Sequence, residues 1–241
     1  MQFVWLGHAT VFMKNTQGTR ILVDAWVDTN PACPAALAKH VRQWGVDVIV
    51  LTHGHMDHCA DVAALQRDTG AVVCCQYDAQ EWLTYQNIPA ESIRAFNKGG
   101  TVHVKDVRIT MTHAQHSSSW PTAAGNRVLG SEAGYVFRMD SDVTVYAAGD
   151  TNVMADMAII ADLYKPAVSI LPIGDQYTMG PYEAAYACKL LNSSAVLPIH
   201  YATFAGLTGT PTMLRNELHA RGVATSVLAP DIGESIQWST S

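Results

Sequence analysis

Val46-Asp47-Val48-Ile49-Val50-Leu51 leads without a break into Thr52-His53-Gly54-His55-Met56-Asp57-His58. The first six residues form an apolar, β-branched run, the mark of a strand buried on both faces. The segment that follows packs three imidazoles and one carboxylate into six residues. Side chains alternate with period two in an extended chain, so His53 and His55 fall on one side. A turn then presents Asp57 and His58 towards a neighbouring point. In an open α/β sheet, ligands bind in the crevice at the carboxyl ends of the strands. Imidazoles and a carboxylate gathered at such an end suit two adjacent divalent ions. Read as an ordinary polar loop, four ligand-type residues in this order would be a coincidence.

On the N-terminal side, Gln2–Leu6, Thr10–Lys14 and Arg20–Asp24 read as short strands, with a turn at Asn15-Thr-Gln-Gly18. Pro34–Gln43 reads as a helix opened by its proline. Beyond the histidine segment, Asp61–Thr69 reads as a helix and Ala71–Cys75 as the next strand, a βαβ pattern that implies parallel pairing. The middle is richer in strands: Thr101–Val104, Val107–Thr112, Gly134–Met139 and Val143–Ala147, with hairpin turns at Lys105-Asp106 and Asp140-Ser-Asp142. Helix and strand then alternate through Met154–Tyr164, Ala167–Leu171, Tyr182–Leu191, Ala195–Ile199 and Pro211–Arg221. Thr225–Leu228 and Ser235–Trp238 are the last strands. His116–Glu132, rich in Ser, Gly and Ala, is expected to be a long loop, functional or mobile. Strands, helix–strand, strands, helix–strand suggests a pseudo-duplication of architecture without a sequence repeat. The expectation is one α/β domain over residues 1–241, with two packed sheets and helices outside.

Hydrophobic residues make up 49% of the chain and charged residues 15%, which supplies a sizeable core and argues against disorder. No apolar run approaches the roughly 20 residues that span a bilayer, so no membrane span is expected. Met1 to Phe12 carries no basic region and no small-residue cleavage site, and reads as a first strand rather than a signal peptide. The five cysteines, Cys33, Cys59, Cys74, Cys75 and Cys188, follow no paired framework. That fits reduced thiols and a cytoplasmic protein. A net charge of −6 weighs against nucleic acid as a partner. A small-molecule substrate is expected instead, and a homo-oligomer is compatible with the composition.

The pattern His-X-His-X-Asp-His at residues 53–58 resembles the signature of the metallo-β-lactamase superfamily. Later motifs of that family follow in order: His116 in Ala114-Gln-His-Ser-Ser118, Asp150 in Ala147-Ala-Gly-Asp-Thr151, and His200 in Leu197-Pro-Ile-His200. Trp5-Leu-Gly-His-Ala9, Ile21-Leu-Val-Asp24, Leu171-Pro-Ile-Gly-Asp175 and Thr178-Met-Gly-Pro181 narrow the likeness. They resemble a metal-dependent hydrolase branch related to L-ascorbate-6-phosphate lactonase and, more distantly, to N-acylphosphatidylethanolamine phospholipase D. The resemblance covers most of the chain; its motifs are specific for fold and metal site and weakly specific for substrate. It implies a four-layer αββα sandwich of the metallo-β-lactamase type. It also implies two divalent metal ions, one on His53, His55 and His116, the other on Asp57, His58 and His200, with Asp150 bridging. Zinc or manganese would suit these donors, with iron a third candidate. Two such ions lower the pKa of a shared water towards about 7, and Asp57 would orient it and carry a proton.

Other residues are weighed singly. His8 is expected to join the chemistry or line the pocket, the alternative being a buried structural histidine. His113 lies three residues before His116, on the opposite face of an extended chain, so both are not expected to bind metal; a role beside the ligands is retained for it. Asp24 and Asp175 are candidates to hydrogen-bond ligand histidines; as an alternative, Asp175 is a turn or cap residue. Trp120, Tyr177 and Met179 are expected to form a partly apolar wall beside the metals. His40, His103 and His219 read as surface residues, and Cys59 as a packed small residue rather than a nucleophile.

Three functions follow. The first is a hydrolase that uses a metal-activated water on an ester, lactone, amide or phosphodiester of a small molecule. The second is a di-iron oxidoreductase on the same scaffold, which would normally need a flavin partner. The third is a metal-binding protein without catalysis, disfavoured because all seven ligand positions are filled.

Overall fold

The computed structural model describes residues 1–139 and 143–239. The expected turn Asp140-Ser-Asp142 lies outside them. Two seven-stranded sheets and one two-stranded ribbon make up the β structure of the described residues.

The first sheet is built by β1 (Gln2–Trp5), β2 (Val11–Lys14), β3 (Arg20–Val23), β4 (Val48–Val50), β5 (Val72–Gln76) and β6 (Ile93–Phe96). Strands β1 to β3 form an antiparallel meander, and β3 to β6 run parallel. Helices α1 (Ala35–Trp44), α2 (Met56–Cys59), α3 (Val62–Thr69) and α4 (Gln80–Tyr85) occupy the connections. The second sheet repeats the scheme. Its strands β7 (Thr101–Val104), β8 (Val107–His113), β11 (Ala133–Met139) and β12 (Val145–Ala147) pair antiparallel. Then β13 (Val168–Pro172), β14 (Ala195–Ile199) and β15 (Ser226–Val227) continue in parallel, with α5 (Asp156–Tyr164), α6 (Pro181–Leu191) and α7 (Pro211–Ala220) between them. A last strand, β16 (Ser235–Gln237), returns to the outer edge of β1.

Period-two alternation decides which face each residue serves. Along β3 and β4, Ile21, Val23, Val48 and Val50 join the core shared with the second sheet, whereas Leu22 and Ile49 pack outward under α1 and α3. Adjacent Cys74 and Cys75 divide the same way, one in each core. The inter-sheet core takes Ile109, Met111, Tyr135 and Phe137 from the second sheet, and its far face is covered by Met157, Ala184, Cys188 and Leu214 of the last three helices. The order is therefore helices, sheet, sheet, helices, the four-layer sandwich expected. All five cysteines are free and buried. No helix among the described residues is long and apolar enough to cross a membrane.

Several local expectations need correction. The segment 116–132 is not one long loop: β9 (Ser119–Thr122) and β10 (Gly125–Val128) pair as a hairpin. The helix expected at Asp61–Thr69 is present as Val62–Thr69 with Asp61 as its N-cap, whose carboxylate accepts from the amides of Val27 and Asp28 at 2.7 Å each. Strand β6 and helix α4 carried no recognised signal. Each is short, four and six residues, too brief for periodicity to register.

Candidate metal centre

The carboxyl ends of strands from both sheets meet along one rim. Asp24 directly follows β3, His53–His58 follow β4, and His8 lies beyond β1. From the second sheet, His116 follows β8, Asp150 follows β12, and His200 directly follows β14. Hydrogen bonds tie the sheets together here. Tyr135 donates its hydroxyl to Leu51 O at 2.8 Å, and the His200 amide donates to His8 O at 2.9 Å. His8, Asp24 and His200 all sit in the left-handed backbone region, with φ of 53°, 58° and 57°. Such strain costs of order 1 kcal/mol per residue and persists where the surroundings over-determine it. The close approach of the His200 carbonyl requires Gly174: a Cβ there would lie 2.0 Å from His200 O.

Ligand atoms of His53, His55 and His116 lie within 4.8 Å of one another; so do those of His53, His58 and Asp150, and those of His8, Asp57, His58 and His200. Asp150 is the common neighbour. Its Oδ2 is 3.0 Å from His200 Nε2, 3.3 Å from His58 Nε2, 3.7 Å from His116 Nε2 and 4.0 Å from His53 Nε2.

The surrounding hydrogen bonds fix which nitrogen faces inward. Asp24 accepts from the Thr52 amide at 2.8 Å and the Thr52 hydroxyl at 2.9 Å, and His58 Nδ1 lies 2.7 Å from the same carboxylate. A carboxylate only accepts, so His58 carries a proton on Nδ1 and turns Nε2 inward. The Thr52 hydroxyl spends its hydrogen on Asp24 and so accepts from His53 Nδ1, 3.0 Å away, which leaves His53 Nε2 facing the site. That nitrogen is 2.9 Å from His55 Nδ1. His8 differs. Its Nε2 lies 2.9 Å from Asp57 Oδ2 and its Nδ1 3.0 Å from the Thr203 hydroxyl. It therefore presents an N–H to Asp57 and acts on that carboxylate rather than offering a lone pair to a cation.

Burial holds His53 well below the ordinary imidazole range, and it also lowers His55 and His116. Burial lowers His8 to about 4, only partly offset by its bond to Asp57. Burial alone would raise Asp57 and Asp150. The charges of His58, and of His200 for Asp150, outweigh it and keep both ionised well below the usual range. His53, His55 and His116 are thereby the neutral imidazoles that bind divalent cations. Burial would lower His58 as well, but the charges of Asp150, Asp24 and Asp57 outweigh it and hold His58 well above the ordinary range, so its Nε2 becomes a ligand only by losing a proton as a cation binds. The donor set passes a further test of fit: His58 Nε2 and Asp150 Oδ1 are buried without a hydrogen-bond partner. Such atoms cost about 1–3 kcal/mol each unless something satisfies them, and a divalent cation does so.

Not every expected residue is here. His113 is exposed at the end of β8, with its Nδ1 3.2 Å from Lys98 Nζ, as its opposite-face position requires. Asp175 is exposed in a tight turn at φ 69°, where its carboxylate caps the Gln176 amide at 2.7 Å; it meets no ligand histidine. Trp120 does not stand beside the cluster: its ring tilts against Trp82 at 4.9 Å, over the core outside the first sheet. Met179 is buried in the core packed around the second sheet. Tyr177 lines the pocket, as do Ser117 and Phe204, which sequence reasoning missed. Ser117 Oγ is 3.4 Å from His55 Nε2, and Ser118 Oγ accepts from the Gly54 amide at 3.0 Å. The signal available was adjacency, since both serines follow His116 and Phe204 lies four residues beyond His200. His40, His103 and His219 are exposed, and Cys59 is buried with its thiol on His55 O at 3.1 Å.

The family model of the beta-lactamase superfamily domain matches residues 19–201. A UPF0173 metal-dependent hydrolase from Roseiflexus sp. (strain RS-1) is 47% identical over 232 residues, 96% of this chain and 95% of that protein. One from Chloroflexus aurantiacus is 49% identical over 231 residues, again 96% and 95%. Among solved structures, Igni18, a metallo hydrolase from the hyperthermophilic archaeon Ignicoccus hospitalis, superposes with a TM-score of 0.88 at 30% identity, covering 100% of this chain and 99% of that one.

Proposed function

Because this chain belongs to the metallo-β-lactamase superfamily and is a metal-dependent hydrolase, we propose that it cleaves an ester, lactone or phosphodiester bond of a small molecule at a centre of two divalent ions. His53, His55 and His116 would hold one ion, and Asp57, His58 and His200 the other, with Asp150 between them. The observation that carries this reading is the position of Asp150 Oδ2, within 4.0 Å of the Nε2 atoms of four histidines drawn from three strand ends. Zinc or manganese suits this mixture of imidazole and carboxylate. When bound, such a pair supplies hydroxide near neutral pH and polarises the scissile oxygen.

The chain's own residues divide the remaining work. Asp24 holds the His58 ring with its Nε2 inward, and Thr52 does the same for His53. Asp57, kept ionised and gripped by the His8 N–H, is the group placed to take and return a proton at its carboxylate. A pocket of about 290 Å³ opens over the cluster, at the small end of ligand sites, which supports a small substrate.

The test joins metal analysis to an activity screen. The purified protein is assayed for metal per chain and for turnover of lactones, phosphodiesters and thioesters before and after chelation. Metal-bound protein with chelator-sensitive turnover supports the reading. Turnover undiminished after complete metal removal would refute it.

A further inference from the structure

Above the ligand residues, the pocket is lined by Ser117, Tyr177 and Phe204. No lysine or arginine among the described residues lines it, while Asp57 and Asp150 do. A phosphate or carboxylate carried away from the scissile bond needs a fixed guanidinium or ammonium to offset its desolvation. Cations bound at the floor would be engaged by the reacting group itself. A distal anion would have no cationic side chain in the lining to meet it.

Phe204 packs against its neighbours, Tyr177 stands on a tight turn, and both rings are left uncovered. Phe204 sits edge-on to His8, with ring centroids 5.4 Å apart, and tilts over Trp26 at 6.1 Å. Its neighbour Thr203 is tied to His8 Nδ1. Tyr177 follows two residues in the left-handed region, Asp175 and Gln176, and its amide closes the turn on Asp175 O at 2.6 Å. The Gln176 side chain lies against Gly206, where a Cβ would come within 2.0 Å of Oε1, which places this turn beside the Phe204 segment. Yet Tyr177 is 58% exposed and Phe204 43% exposed. Uncovered rings at the rim of a small pocket offer apolar area and stacking faces to whatever enters.

Taking the site as the hydrolytic centre described above, we propose that its substrate is an uncharged molecule whose non-reacting part is apolar and preferably planar, held by Tyr177 and Phe204, and that substrates with a distal phosphate or carboxylate are disfavoured. The inference rests on the hydrolytic reading for its reaction and on the pocket lining for its selectivity.

The experiment compares ethyl phenylacetate, ethyl butyrate and monoethyl succinate as substrates of the zinc-loaded protein. The expected kcat/KM falls in that order, with the succinate monoester at least about tenfold below the aryl ester, as loss of an aromatic contact and gain of an unpaired charge require. Phe204→Ala and Tyr177→Ala each raise KM for the aryl ester about five- to tenfold, and by less for the butyrate. Phe204→Leu and Tyr177→Phe recover most of the loss. Equal or better turnover of monoethyl succinate, or an aryl-ester KM that neither alanine variant moves, would overturn the proposal. Calorimetric binding of phenylacetamide and succinamate separates the two readings. Phenylacetamide bound more tightly than succinamate, and weakened in Phe204→Ala, supports the pocket assignment even if neither these esters nor the lactones, phosphodiesters and thioesters of the activity screen are cleaved, in which case only the hydrolytic reading fails. Preference for succinamate overturns the selectivity whatever is hydrolysed.

Discussion

His58 Nδ1 lies 2.7 Å from Asp24 Oδ2, and both side chains are buried to within 1%. Asp24 reaches this position because it leaves β3 in the left-handed region, with its amide on Val50 O at 2.9 Å. The pair turns His58 Nε2 towards Asp150. Asp24→Asn is therefore expected to weaken divalent metal binding about 10–100-fold, the usual cost of losing such an orienting carboxylate. Competition against a chromophoric chelator measures it. Unchanged affinity in a folded variant would remove the orienting role.

Gly174 lets the His200 carbonyl pass where a methyl group would lie 2.0 Å away. Gly174→Ala must push the His200 segment off its strand end. Overpacking of this kind costs about 1–3 kcal/mol, and His200 would move with its backbone. A lowered Tm together with reduced metal occupancy is expected. Wild-type occupancy at wild-type Tm would show that the backbone relaxes without cost.

Trp120 packs on Trp82, away from the histidines. Trp120→Ala is expected to cost about 1–2 kcal/mol of stability through lost aromatic packing. Thermal unfolding reads the loss, and KM for accepted substrates should stay at the wild-type value. A KM change without a Tm change would return Trp120 to the pocket.

The contrast between these residues marks what the sequence made legible. His53, His55, Asp57 and His58 are close in the chain, so spacing alone groups them. His116, Asp150 and His200 each end an apolar strand run, and strand ends in a layered α/β fold share a rim. Val48, Ile49 and Val50 are all buried, alternately in the two cores, and a strand buried on both faces reads as a continuous apolar run. Trp120 and Trp82, by contrast, are 38 residues apart (120 − 82), and no local pattern reports their contact. Asp175 looked like Asp24, an aspartate after a strand. The difference lies in a left-handed turn that points it to solvent, a property of backbone geometry rather than of residue type. Phe204 was hidden because only the return of its loop onto His8 and Trp26 gives it a place in the pocket.

At the opposite end of the sheets, Asp47 accepts from the Arg20 amide and guanidinium at 2.8–2.9 Å and from Lys105 Nζ at 2.5 Å. The hydrogen bond from Arg20 is the largest influence, and with Lys105 it outweighs burial to hold the carboxyl well below its ordinary value. A depressed carboxylate contributes stability that is fully present above the unfolded value of about 3.9 and is lost as pH falls towards the folded one. Asp47→Asn should cost about 1–3 kcal/mol at pH 7 and flatten the acid limb of the stability curve below about pH 4. Denaturant titrations across pH 2 to 7 test this. Parallel acid limbs in variant and wild type would contradict it.

The position of Asp150 among four imidazoles is tested most directly by elemental analysis of the wild type and of Asp150→Ala, each loaded with zinc and freed of loosely held metal. Two ions per chain are expected in the wild type, at most one in the variant, with hydrolytic turnover lost alongside. Two tightly held ions and normal turnover in Asp150→Ala would contradict a shared carboxylate at the heart of the site.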